Sequence, residues 1–309
     1  MDIPVTNQIL VLVILMTVGF LSFKLGITTK EAAAFFSSVT LKIALPCMLI
    51  NIFNRPFDRE LLAEAAIAVS ASIIYTVCAL LFAWFYPYMF GIKGPERGVH
   101  RYALVISNSG FIGYPVVEAI MGPFYLFHAA IYNVPNIIVA FSIAAWLIAK
   151  EGGKTINFSW RFIVNPPLVT TIIGFVMFMS SFSLPGPLEQ STKLIGSMVT
   201  PLSMMVIGIS IAQADIKALL GSWRIYLTVF ARLLFIPALV GLVCFLIGIR
   251  GHILMLLVII VAMPAGSTTS ILASIYDVAT EEAGSIVGLS TILSAVTIPL
   301  TVIAVYHFF

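Results

Sequence analysis

The chain has 309 residues, of which 61% are apolar and only 9% charged, with a mean hydropathy of +1.10 and a net charge of +3. Soluble domains carry about 25% charged residues, so this composition excludes an ordinary water-soluble fold. Apolar runs of about 20 residues, long enough to cross a bilayer as a helix, recur from end to end.

Ten spans are predicted, at 5–26, 33–53, 61–90, 100–121, 124–149, 161–182, 190–213, 218–248, 252–275 and 282–307. The first has no basic segment before it and no clear small-residue cleavage site, so it reads as a retained span and not a signal peptide. The second carries Lys42, Pro46 and Asn51. The fourth contains Ser107-Asn108-Ser109-Gly110-Phe111-Ile112-Gly113-Tyr114-Pro115, with Glu118 three residues on. The fifth has Tyr132, Asn133 and Asn136 around Pro135, and His128 near its start is expected at the interface. Lys150 to Arg161 is the longest polar stretch, too short for an inserted regulatory domain. Pro201 lies in the seventh span, Arg232 and Pro237 in the eighth, and Pro299 in the tenth. The ninth reads Ala262-Met263-Pro264-Ala265-Gly266-Ser267-Thr268-Thr269-Ser270. Cys47, Cys78 and Cys244 lie unpaired in apolar segments and read as small buried apolar residues.

Basic residues concentrate in the odd-numbered loops: Lys24, Lys30, Lys93, Arg97, Arg101, Lys150, Lys154, Arg161, Lys217 and Arg224. The even-numbered loops hold only Arg55, Arg59, Lys193 and Arg250. The positive-inside rule therefore predicts a multi-pass protein of the cytoplasmic membrane with both termini outside.

The two halves echo each other. Leu45-Pro46 followed by Asp58-Arg59-Glu60-Leu61-Leu62 matches Thr200-Pro201 followed by Asp215-Ile216-Lys217-Ala218-Leu219-Leu220. Pro115 and Pro264 also match. Five spans per copy is an odd number, so the second copy enters the membrane upside down, with residues 1–155 and 156–309 as inverted repeats.

A lipid-embedded helix can break only where protein or water covers its freed polar groups, and paired breaks mark the binding site of a secondary transporter. A second half-helix is expected to begin at each proline, since proline suits a first helical turn. The free N–H groups of two such ends would form an anion site without a formal charge. Asn51, Asn108, Ser109, Gly113, Tyr132, Asn133, Asn136, Ser267, Thr268 and Thr269 surround the expected breaks as candidate contacts. The competing reading makes these ordinary packing and kink residues. Lys42, Glu118 and Arg232 are possible charge partners. Either cation is a candidate to attract an anionic substrate, to hold a half-helix end or to snorkel.

No paired intramembrane carboxylates suggest a twin-aspartate proton antiporter. No His-Glu-x-x-His metal motif occurs, and Gly153-Lys154-Thr155 lacks the upstream glycine of a phosphate loop. Asn157-Phe158-Ser159 is a glycosylation sequon in form, on the predicted inner side. Nothing points to an enzyme, a resident cofactor or metal, or a nucleic acid partner.

Taken in order, several segments resemble the auxin efflux carrier family, which includes permease-like bacterial and archaeal members and the plant PIN-FORMED carriers. They are Leu45-Pro46, Asn108 through Pro115, Asn133 with Pro135-Asn136, Asn165-Pro166, Pro201 through Gly208-Ile209-Ser210, Arg232-Leu233-Leu234 to Pro237, Met263-Pro264-Ala265, Glu282-Ala283 and Pro299. The resemblance implies an all-α membrane fold of ten helices in two inverted repeats. It also implies a crossover of broken helices four and nine, as in bile acid sodium symporters. Spans one, two, six and seven would form a scaffold and homodimer contact; spans three to five and eight to ten would carry substrate by an elevator-type shift. Pro115 and Pro264 become the crossover prolines, and Asn108, Asn133 and Asn136 the polar contacts. The short central loop differs from that of the long-loop plant carriers and favours a prokaryotic-type member. The substrate expected is a small organic anion, auxin-like or a mono- or dicarboxylate, with a proton or sodium as possible coupling ion. A sodium-coupled symporter of the same fold is the alternative.

Overall fold

The computed structural model describes residues 5–154, 165–213 and 222–308. The sequon, Asp215 to Leu220 and Arg161 lie outside the described residues. Among the described residues the regular structure is helical, apart from one isolated antiparallel bridge.

In chain order the helices are α1 Val5–Lys24, α2 Lys30–Val39, α3 Leu45–Phe53, α4 Arg59–Met89, α5 Glu96–Val105, α6 Tyr114–Met121, α7 Leu126–Val139 and α8 Ala145–Glu151. They continue as α9 Pro166–Met179, α10 Gly186–Gly196, α11 Val199–Gln213, α12 Trp223–Phe230, α13 Ile236–Leu246, α14 Gly251–Val261, α15 Thr268–Tyr276 and α16 Thr280–Phe308. Seven helical stretches among the described residues are long and apolar enough to cross a membrane, and Ser109–Met121, Pro166–Met179 and Gly251–Val261 are shorter apolar helices.

Starts follow local chemistry. Asp58 Oδ1 accepts from the Glu60 amide at 2.8 Å ahead of α4. Asn165 Oδ1 accepts from the Leu168 amide at 3.0 Å, with prolines filling the next two positions of α9. Both satisfy first-turn N–H groups that no carbonyl inside the helix can reach.

Three prolines share one device. π-helical turns at Thr40–Ala44, Ser109–Gly113 and Ala231–Phe235 end two residues before Pro46, Pro115 and Pro237 respectively. Proline lacks an N–H and its ring crowds the carbonyl four residues back. A wider turn moves that carbonyl aside and lets the helix continue. A fourth π turn, Ala140–Ala144, joins α7 to α8.

The chain gathers into two compact units, one of Met1–Val69, Gly110–Val134 and Val164–Gln213, the other of Ser70–Ser109, Pro135–Ile163 and Ala214–Phe309. In the first unit α1 and α11 meet backbone to backbone. A Cβ on Gly208 would lie 1.9 Å from the Met16 carbonyl oxygen, and one on Gly19 would lie 2.1 Å from that of Met205. Helices approach this closely only where the side chain is absent. Gly208→Ala is expected to force α1 and α11 apart at a cost of about 1–3 kcal/mol, the range for overpacking, seen as a lower melting temperature in detergent.

In the same unit His128 is fully buried and its Nε2 lies 2.8 Å from Glu64 Oε2. Cys244 is buried, but Cys78 is exposed and Cys47 half-buried, so the expectation of three buried thiols is corrected. A thiol is apolar enough to sit on an outer helix face among Ile74, Val77 and Leu81, which are also exposed.

Candidate functional site

The second unit contains both breaks. α5 ends at Val105, and Ile106 is extended with φ −99° and ψ 116°. α14 ends at Val261, and α15 starts at Thr268. Between those ends the two chains pair as a short antiparallel bridge at Ser107 and Ala265. The Asn108 amide donates to the Pro264 carbonyl at 2.8 Å, and the Gly266 amide donates to the Ile106 carbonyl at 2.9 Å. Ser290 Oγ on α16 accepts from the Ala265 amide at 3.2 Å. Backbone groups freed by leaving the helix are thus satisfied by the opposite break.

One expectation is corrected. The second half of the fourth span does not begin at Pro115; helical geometry resumes at Ser109, six residues earlier. The π turn accommodates Pro115, so the proline does not break the helix. Nor does the second half of the ninth span begin at Pro264: the proline lies inside the break, and α15 starts four residues later, at Thr268.

Side chains frame the bridge. Asn108 is 9% exposed, and its Nδ2 donates to Ser267 Oγ at 3.2 Å. Tyr102 Oη donates to Thr268 Oγ1 at 2.9 Å. Thr269 Oγ1, in the first turn of α15, is buried without a hydrogen-bond partner among the described residues. Asn136 Nδ2 donates to Ser72 Oγ at 3.0 Å, and its Oδ1 accepts from Thr76 at 3.5 Å. Ser72 and Thr76 are a helical turn apart on one face of α4. That spacing is a readable signal, yet sequence reasoning passed over it, along with Tyr75, Tyr102 and Ser290.

Arg232 is fully buried and reaches both breaks. Its Nε donates to the Met263 carbonyl at 3.1 Å, and one terminal nitrogen donates to the Val261 carbonyl at 2.9 Å. The other donates to the Leu104 carbonyl at 3.0 Å and to Tyr75 Oη at 2.7 Å. Leu104 and Val261 belong to the last turns of α5 and α14, whose carbonyls carry partial negative charge. One guanidinium therefore ties together both helix ends. Of the roles open to it in the sequence, holding a half-helix end is the one its contacts describe.

Of the remaining candidates, all but Ser109 belong to the first unit. Asn133 Nδ2 donates to Tyr114 Oη at 3.1 Å. Gly113, Pro115 and Tyr132 are buried. Glu118 is half-buried and accepts from Thr200 Oγ1 at 2.6 Å. Asn51 donates to the Cys47 carbonyl of its own helix at 3.0 Å, and Lys42 is exposed. Ser109 ends the second unit's portion of the span and is buried.

Comparison with known proteins shows the family. A family model described as membrane transport protein matches residues 4–157 and 154–302. An uncharacterized transporter of Methanocaldococcus jannaschii is 24% identical over 303 residues, covering 95% of this chain and 96% of the relative. A putative malonate transporter of Rhizobium meliloti is 22% identical over 302 residues, covering 95% and 93%. An uncharacterized transporter of Escherichia coli is 22% identical over 307 residues, covering 95% of each. The relatives are transporters and not enzymes. With its apolar helices and these matches across nearly its whole length, the chain belongs to the membrane transport protein family, the auxin efflux carrier-like transporters that its motifs resemble.

Proposed function

We propose that this transporter moves a small organic anion, a mono- or dicarboxylate, by alternating access, and that the anion binds at the bridge between the two breaks. The observation that carries the reading is the conjunction of the Ser107–Ala265 bridge with the start of α15 and the unpartnered Thr269 hydroxyl. A buried carboxylate needs donors in place of water. First-turn N–H groups supply partial positive charge, and Asn108, Ser267 and Thr269 add side-chain donors. The fully engaged backbone contacts of Arg232 leave these neutral donors as the anion's partners in this reading.

The helix order supports ten spans in two sets of five: α1, α2–α3, α4, α5–α6 and α7–α8, then α9, α10–α11, α12–α13, α14–α15 and α16. Within the proposal these sets are the inverted repeats, and spans three to five and eight to ten move as an elevator against the other four. The proposal retains a homodimer in the cytoplasmic membrane with both termini outside. The name of the Rhizobium relative makes malonate the first substrate to try. Purified protein is expected to be stabilised against heat by malonate or a similar carboxylate, and to exchange labelled malonate in proteoliposomes. A carboxylate panel giving neither stabilisation nor exchange would contradict the proposal.

A further inference from the structure

A second buried polar network lies in the same unit, away from the bridge. His100, in the first half of α5, is fully buried. Its Nδ1 lies 2.6 Å from Thr228 Oγ1 on α12, and its Nε2 lies 3.0 Å from Glu282 Oε1 on α16. Thr228 donates its hydroxyl to Tyr86 Oη on α4 at 3.2 Å. The imidazole of α5 thus touches side chains of α12 and α16, and Thr228 links it on to α4.

Hydrogen-bond accounting constrains the protons. A hydroxyl has one proton to give, and Thr228 gives it to Tyr86. Thr228 then receives from His100, so Nδ1 carries a hydrogen. A neutral imidazole with its hydrogen on Nδ1 presents a bare lone pair at Nε2. A carboxylate has only lone pairs to offer in return. The 3.0 Å contact between Nε2 and Oε1 therefore requires one additional proton, held on either side of it.

Other charged groups nearby have their own partners. On α5, Arg101 pairs with Glu151 of α8 at 2.5 Å, and Arg97 donates to the Ile92 carbonyl. On α12, Arg224 donates to the Phe90 carbonyl, and Arg232 holds the crossing. Lys150 of α8 lies over the Trp84 and Trp146 rings. Glu281 and Glu96 carry no imidazole contact, Glu281 being exposed and Glu96 half-exposed, and α15 contributes no charged residue. Glu282 is the carboxylate on His100. Its side chain keeps 17% exposure, whereas the imidazole has none.

We infer that His100 and Glu282 form the proton-binding site through which this carrier couples transport to a pH gradient, with one proton held between Nε2 and Oε1. This rests on the carrier reading above. Binding places one proton from water in the contact; release returns it to water. After release, two lone pairs face each other and the bond between α5 and α16 is lost. α5 leads to the bridge at Ser107, and α16 holds the bridge through Ser290, so the site acts on the two elements that shape the anion site.

Two measurements test this. The first reads the proton directly by ¹⁵N NMR of histidine-labelled protein, with His100 assigned from the signal missing in His100→Asn. The ring is expected to show a hydrogen on Nδ1, with or without the additional proton. A lone Nε2–H tautomer with bare Nδ1 throughout would mean that Thr228 donates to the ring, and would overturn the inference. The second uses labelled malonate in proteoliposomes. Wild-type exchange without a gradient tests the carrier reading alone. An imposed pH gradient is then expected to raise wild-type accumulation at least tenfold, and Glu282→Gln to abolish that response. An unresponsive wild type that still exchanges malonate, or a Glu282→Gln protein that responds fully, would overturn the coupling. Absence of exchange would count against malonate carriage, with the NMR result still deciding the proton site.

Discussion

Arg232→Met is expected to be the most damaging single substitution at the crossing. It strands the carbonyls of Leu104, Val261 and Met263 and removes the hydrogen bond to Tyr75. Each buried polar group left unpaired costs about 1–3 kcal/mol, so the loss is about 4 kcal/mol or more. Roughly 2–4 °C of melting temperature per kcal/mol puts the fall at about 10 °C. Arg232→Lys keeps the charge but has three donors radiating from one nitrogen where the guanidinium spreads five over a plane. It is expected to recover only part of the stability. The contrast separates charge from geometry: an undiminished melting temperature in Arg232→Met would show that the clasp holds nothing.

Asn108→Leu is expected to reduce anion flux at least tenfold with little change in folding. The bridge survives the substitution because its hydrogen bond uses the Asn108 backbone amide. What is lost is the side-chain amide beside Ser267. A hydrogen bond to a charged group contributes about 1.5–3 kcal/mol, equivalent to roughly 10–150-fold in affinity. Exchange in proteoliposomes measures the flux, and the melting temperature measures the fold. Wild-type flux in Asn108→Leu would remove its side chain from the site.

Much of this arrangement was legible in the sequence because breaking a membrane helix requires rare local chemistry. Pro264, Gly266 and the Ser-Thr run after them stood out in an apolar background, as did Asn108 and its neighbours. That the two breaks meet was an expectation of the family resemblance; the bridge at Ser107 and Ala265 pairs them. Pro115 misled about the starting point. A sequence marks the proline but not the π turn that absorbs it, and that turn depends on how the preceding carbonyls are packed.

The side-chain network was harder to read. Tyr75 and Arg232 are separated by 157 positions, and His100 and Glu282 by 182. Composition identifies such residues as costly in a membrane but does not say which polar group answers which. Ser72 and Thr76 carried a weaker signal, two small hydroxyls at helical spacing, that is common in packed membrane helices. His128 was read from its position near a span end, and its burial depends on contacts within the first unit, Glu64 among them.

The central claim is that an anion is held by the electropositive start of α15 beside the bridge. Solid-state NMR can measure the distance from the ¹³C carboxylate of a bound, stabilising ligand such as malonate to the backbone ¹⁵N atoms of Thr268 and Ser270, the Thr269 amide already donating to the Gly266 carbonyl at 2.9 Å. The account expects at least one distance of about 4 Å, as a direct N–H···O contact requires. Saturating bound ligand with no measurable coupling to either nitrogen would contradict it.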